Sequence, residues 1–207
     1  AALGRAQDKQ DKSLAEIAAE AKRKKQESAR PVLTNDELGT AAPALPAVRV
    51  LRRSEHIPAL APFVPTPMPT VEAMLELASV REGEVVFDVG SGDGRIVIAA
   101  AELLGARAVG IEVDEALVAR SRKTVEEKGL AERVRIIHAN ALDVDLSPAD
   151  VVTLYLTPDG LKVLRPHLEK TLRPGTRVVS HDFQILGWEL AERRRVDGKE
   201  IYLYRVP

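Results

Sequence analysis

The chain has 207 residues, 45% of them hydrophobic and 29% charged, which fits one globular domain plus an extension. It contains no cysteine, which excludes disulfides and thiolate metal sites, and its four histidines lack a metal-like spacing, so no metal centre is expected. The formal net charge of −1 divides into +3 over residues 1–60 (11 basic, 8 acidic) and −4 over the remainder (19 basic, 23 acidic), a balance that argues against strong nucleic-acid binding.

The sequence opens without Met, at "AALGRAQDKQ", as either an artificial boundary or the remnant of a processed leader would. No apolar run is long enough to span a bilayer. Residues 13–29 read as a short helix: Ser13 and Glu16 form a capping box, and Leu14, Ile17, Ala18 and Ala21 make a weak apolar stripe. The basic run Lys22–Lys25 reads as a solvated face, with contact to a membrane surface or a partner as the alternative. Residues 30–69 hold most of the prolines, which remove donors and fix φ, so this stretch is expected to be an extended arm.

From residue 70 the pattern becomes regular. Val71, Met74, Leu75 and Ala78 have helical spacing, and "EVVFDV" (84–89) is a buried-strand run. A helix over 94–104, a strand over 107–113, a helix over 115–128 and a strand over 133–139 follow, with Gly105 and Gly129 as helix ends. A strand over 150–156, a helix over 158–172 and a strand over 176–183 come next. Two last strands flank Asp197-Gly198, a strong hairpin signal. Alternating strands and helices predict an α/β fold: a doubly wound, mostly parallel, Rossmann-like sheet closed by an antiparallel C-terminal hairpin. Residues 1–61 are read as a charged helix and proline-rich arm, and 62–207 as the folded domain.

The loop "DVGSGDG" (88–94) lies between the first strand and its helix, where an open α/β sheet binds its ligands. Gly90, Gly92 and Gly94 allow tight turns and close approach of a ligand. Glu112 ends the second strand, where a carboxylate can accept hydrogen bonds from both hydroxyls of a ribose. The ligand therefore contains a nucleoside. The spacing G-x-G-x-G departs from the dinucleotide pattern G-x-G-x-x-G, and Asp88 and Asp93 would repel a pyrophosphate. Those acids suit an ammonium and a sulfonium, which points to S-adenosylmethionine, with S-adenosylhomocysteine as the product.

At these residues the sequence resembles the seven-strand class I methyltransferases, over about residues 62–207. The resemblance implies that Asp88, Gly90, Ser91, Gly92, Asp93 and Gly94 wrap the amino-acid part of the cofactor. It also implies that Glu112 holds the ribose and that Asn140, where many relatives have Asp, contacts the adenine. "FVPTPMPTVEAMLELASV" followed by "DVGSGDGRIVIAAA" is similar to a lysine-methylating branch. That branch includes the non-SET histone lysine methyltransferases, the mitochondrial enzymes acting on the ATP synthase c-subunit and the adenine nucleotide translocase, and bacterial relatives. By that resemblance Pro65 and Thr66 close the site beside the sulfonium.

Four residues stand near the expected transfer point. Tyr155 ends the fourth strand, as a channel wall and amine-orienting hydroxyl or as an ordinary strand-end aromatic. His181 and Asp182 end the fifth, either assisting proton loss and shaping the acceptor side or bracing a loop. Trp188 is an acceptor-channel residue or simple packing. The Asn/Asp-Pro-Pro-Tyr motif of adenine-N6 and glutamine-amide enzymes is missing, and no Cys can serve as a nucleophile, so an amine acceptor is favoured. The expected activity is methylation of a lysine on a protein substrate in the cytoplasm, with no nucleic acid as partner. The alternatives are a small-molecule N- or O-methyltransferase, a non-catalytic module that binds the cofactor, and, disfavoured by the glycine spacing, an NAD-binding oxidoreductase.

Overall fold

The computed structural model describes residues 44–51 and 59–207, all within one compact unit spanning 39–207. The expected helix over 13–29, its basic run and His56 lie outside the described residues. Helix α1 (Met68–Leu77) starts two residues earlier than its apolar spacing suggests, because Pro67 caps it and Pro69 occupies its first turn, where a missing N–H costs nothing. Then follow β1 (Val85–Val89), α2 (Arg95–Leu104), β2 (Arg107–Glu112), α3 (Glu115–Glu127) and β3 (Val134–His138). A 3₁₀ turn (Ala141–Asp143), not anticipated from the sequence, leads to β4 (Val151–Leu154), α4 (Pro158–Thr171), β5 (Arg177–His181), β6 (Leu190–Val196) and β7 (Lys199–Arg205).

The strands form one seven-stranded sheet in the order β3-β2-β1-β4-β5-β7-β6. β1 to β5 are parallel, and β7 enters antiparallel between β5 and β6. Every residue of β1 is buried, as a strand covered on both faces requires. Phe87, Val89, Leu154, Val178 and Tyr204 meet Leu161, Leu164 and Leu168 of α4 on one face. Helices α1, α2 and α3 cover the other. β6, at the sheet edge, is mostly exposed and carries three consecutive arginines, Arg193 to Arg195, which discourage pairing with another chain.

Strand order reverses between β1 and β4, so the chain leaves the carboxyl ends of β1 and β4 toward opposite faces and opens a crevice between them. Residues 59–66 of the proline-rich stretch wall that crevice, and its described residues are tied down at several points. Val50 bridges Val144, and Val48, Leu60 and Ala61 pack against the core. Among the described residues no helix is long and apolar enough to cross a membrane.

Candidate active site

The crevice holds a cavity of about 280 Å³. Its walls come from the arm (59–66), the β1–α2 loop, the end of β2, the residues after β3 and the end of β4. Ten of the sequence-predicted residues line it: Pro65, Thr66, Asp88, Gly90, Ser91, Gly92, Asp93, Glu112, Asn140 and Tyr155. Gly94, His181 and Asp182 are not in the wall. Gly94 caps α2 at φ +79° and lets α2 approach α3, where a Cβ would stand 3.0 Å from Ser121. His181 and Asp182 sit behind Tyr155, as described below.

Glu112 is fixed almost entirely by the backbone. Its Oε2 accepts from the Gly92 N–H at 2.7 Å, and its Oε1 accepts from the N–H groups of Val113 at 2.7 Å and Asp114 at 3.0 Å. Three donors fix the orientation of the carboxylate in the cavity wall. Asp114 is committed elsewhere, capping α3 through the N–H groups of Ala116 and Leu117.

Asp93 is neutralised locally. Arg95 grips both its oxygens, at 2.9 and 2.6 Å, and this holds the Asp93 carboxyl below its ordinary range. The Asp93 Oδ1 also accepts from the Arg95 backbone N–H at the start of α2. A carboxylate thus occupies the helix N-terminus that a dinucleotide fold offers to phosphate. Arg95 reaches further, donating from Nη1 to the Thr66 carbonyl at 2.8 Å, so one guanidinium joins the glycine loop to the arm.

Asp88 has the opposite environment. It is 2% exposed and receives one hydrogen bond, 2.7 Å from the Thr153 hydroxyl on the neighbouring strand. Burial pushes its carboxyl up to about 7, with the charges of Glu112 and Asp93 adding to the effect. A cation arriving here would restore its charge.

Gly92 has φ +54°, and the ring of Phe63 from the arm lies directly over it, in the space a Cβ would need. Thr157 donates from its hydroxyl to the Leu60 carbonyl at 3.0 Å while capping α4, which pins the arm's other end. Sequence reading missed Phe63, Arg95 and Thr157 as site residues. The one available signal was position: Arg95 follows the glycine loop directly, and Thr157-Pro158 is a visible helix start.

At the end of β4 the Tyr155 ring lies on His181, with centroids 3.9 Å apart. Its hydroxyl donates to Asp182 Oδ2 at 3.3 Å, and Lys199 from β7 meets the same oxygen at 2.8 Å. Lys199 and the neighbouring His181 keep the Asp182 carboxyl below its usual value, whereas burial and Asp182 push the Tyr155 phenol up. Trp188 lies outside the cavity. It packs edge-on against Tyr204 and donates to Glu169 at 2.9 Å, which is its packing reading. His138 and His167 bond backbone carbonyls of Val113 and Val144.

A family model described as the ANTKMT methyltransferase domain matches residues 88–192, half of the chain and most of this site. The chain belongs to that methyltransferase family. A protein-lysine N-methyltransferase of Saccharolobus islandicus is 43% identical over 148 residues, which cover 69% of this chain and 92% of that protein. An adenine nucleotide translocase lysine N-methyltransferase of Mus musculus is 34% identical over 128 residues, which cover 62% of this chain and only 56% of that protein. A crystal structure of an RNA methyltransferase from Salinibacter ruber, in complex with S-adenosylhomocysteine, is 49% identical with a TM-score of 0.68, covering 70% of this chain and 94% of that one. This methyltransferase uses S-adenosylmethionine, and its cavity fits that cofactor. A rigid carboxylate and a buried, proton-retaining one suit hydroxyls and a cation, and the α2 N-terminus leaves no seat for a pyrophosphate.

Proposed function

We propose that the chain methylates lysine side chains of a protein substrate. The observation that carries this reading is the 43% identity to a protein-lysine N-methyltransferase across 92% of that protein's length. In this reading Glu112 holds the ribose hydroxyls and Asn140 meets the adenine, with its Oδ1 already steadied by the Leu142 N–H at 3.0 Å. The backbone of Gly90 to Gly94, with Ser91, Asp88 and Asp93, surrounds the amino-acid end. Asp88 ionises opposite its ammonium. Pro65 and Thr66 cover the sulfonium end.

S-adenosylmethionine supplies an activated methyl, whose carbon–sulfur bond breaks with its electron pair going to sulfur as the acceptor nitrogen takes the carbon. The protein aligns the acceptor and excludes water. Tyr155 forms the channel wall, and its hydroxyl, held by Asp182, which Lys199 grips in turn, orients the amine. A free lysine has a pKa of about 10.4, and desolvation beside the Tyr155 ring and the arm lowers it toward the neutral form that reacts.

A second reading, methylation of RNA, is favoured by the 49% identity to the Salinibacter ruber RNA methyltransferase. Labelled-methyl transfer from S-adenosylmethionine into host-cell extract separates the two. The lysine reading expects label that resists ribonuclease, is lost to protease and appears as methyl-lysine after acid hydrolysis. Label released by ribonuclease would replace it with the RNA reading.

A further inference from the structure

We propose that Thr66 and His181 carry the proton away from the acceptor amine, Thr66 as a relay in the cavity wall and His181 as the base behind it. This rests on the lysine reading above. Thr66 lines the cavity, and its Oγ1 stands 3.4 Å from His181 Nδ1. His181 is sealed from solvent at 0% exposure, and its Nε2 is a buried nitrogen with no hydrogen-bond partner. A histidine kept only for packing would have its buried nitrogens satisfied. Nε2 instead faces Asp182 Oδ2 at 3.6 Å, too long for a hydrogen bond from the neutral ring but within ion-pair distance once the ring is charged.

The arrangement defines the proton's route. With its hydrogen on Nε2, directed at Asp182, His181 offers the Nδ1 lone pair to the Thr66 hydroxyl. The acceptor ammonium gives a proton to Thr66 Oγ1 as Thr66 passes its own to Nδ1. The amine keeps its lone pair, and the positive charge ends on the imidazolium beside Asp182. After the methylated product leaves, the proton returns to solvent by the same path, one proton for each methyl transferred. The charged groups acting on the ring are Asp182, which favours the imidazolium, and Lys199, which opposes it, while the Tyr155 ring covers one face. Burial holds the ring below its ordinary value, so it stands ready as a neutral base at pH 7.

The relay depends on the arm. Thr66 is seated by Arg95, which donates to the Thr66 carbonyl while gripping Asp93 of the glycine loop. Arg95 is therefore a positioning residue that links the cofactor side to the proton path.

Initial rates of labelled-methyl transfer into the same extract, measured from about pH 6.5 to about pH 10, test the relay against a structural role. His181→Gln is expected to lose about 10²- to 10⁴-fold at neutral pH, the range for a general base. That deficit should shrink as pH approaches the lysine pKa of about 10.4, where the substrate deprotonates unaided. S-adenosylmethionine affinity of this variant, by calorimetry, should stay within about twofold. Thr66→Val should show the same pH-dependent loss, and Thr66→Ser should recover most of it. A deficit equal at every pH, or no deficit in Thr66→Val, would overturn the relay. Nitrogen-15 NMR of the unmodified protein gives a readout free of turnover: the Nε2–H form of His181 is expected, and the Nδ1–H form would sink the proposal. No transfer into protein by the unmodified chain would instead remove the lysine reading, and the relay with it.

Discussion

On the glycine-loop side of the cavity, residues 88–94 and 112–114 sit at the ends of two adjacent parallel strands, and backbone N–H groups hold Glu112 in place. On the Tyr155 side, Thr66, Tyr155, His181, Asp182 and Lys199 arrive from separate stretches of chain and meet chiefly through side chains. The first half is defined by local backbone geometry, so a short motif determines it. The second exists only after the sheet, the arm and the hairpin have come together. Substitutions in the first half should therefore act on cofactor binding and folding, and those in the second on turnover.

The largest expected effect is Glu112→Ala. It removes a carboxylate that satisfies three N–H groups, so folding and cofactor binding together should lose about 3–5 kcal/mol. Thermal unfolding and calorimetry would measure the two parts, and an unchanged affinity would remove the ribose assignment. Asp88 comes next, through pH. Its carboxyl titrates at about 7 in the fold against an ordinary 3.8, so the folded state holds an extra proton between those values. Stability without cofactor should then fall as pH rises from about 4 to about 7 and level off above. Asp88→Asn should remove that slope and leave the protein roughly 2–4 kcal/mol more stable at pH 8, while weakening cofactor binding. Denaturant unfolding across pH checks the sign.

Gly92→Ala places a methyl under Phe63 at a left-handed φ, and about 1–3 kcal/mol of cofactor affinity should go with it. Tyr155→Phe should be the smallest, lowering turnover by the equivalent of about 1 kcal/mol with cofactor affinity unchanged. Equal loss of both quantities would erase the distinction between the two halves at this residue.

The same contrast explains what could be read in advance. Strand and helix periods located all seven sheet strands within a residue or two, because buried parallel strands are continuous apolar runs and Asp197-Gly198 dictates a hairpin. The glycine loop and Glu112 were legible because they belong to one strand–loop–helix–strand unit. Gly94 shares the loop motif, yet its place is under α3, since spacing alone cannot tell a glycine that admits a ligand from one that admits a helix. Phe63 was invisible: nothing in a proline-rich stretch says which ring will land on which glycine. Lys199 was invisible for a related reason, because its partner Asp182 lies 17 residues away across a strand pairing.

The position of β7 has a consequence for synthesis. β7 lies between β5 and β6, so β6, although made earlier, has no neighbour in the sheet until β7 has left the ribosome. β1 to β5 can pair as they emerge, and the glycine loop with Glu112 can assemble among them. The lysine that holds Asp182, and the Tyr204 hydroxyl that receives the Ile185 N–H, arrive only with the last strand. A nascent chain would thus hold the glycine-loop half of the cavity before the Tyr155 half is finished, and could be stabilised by the cofactor before it is able to use it.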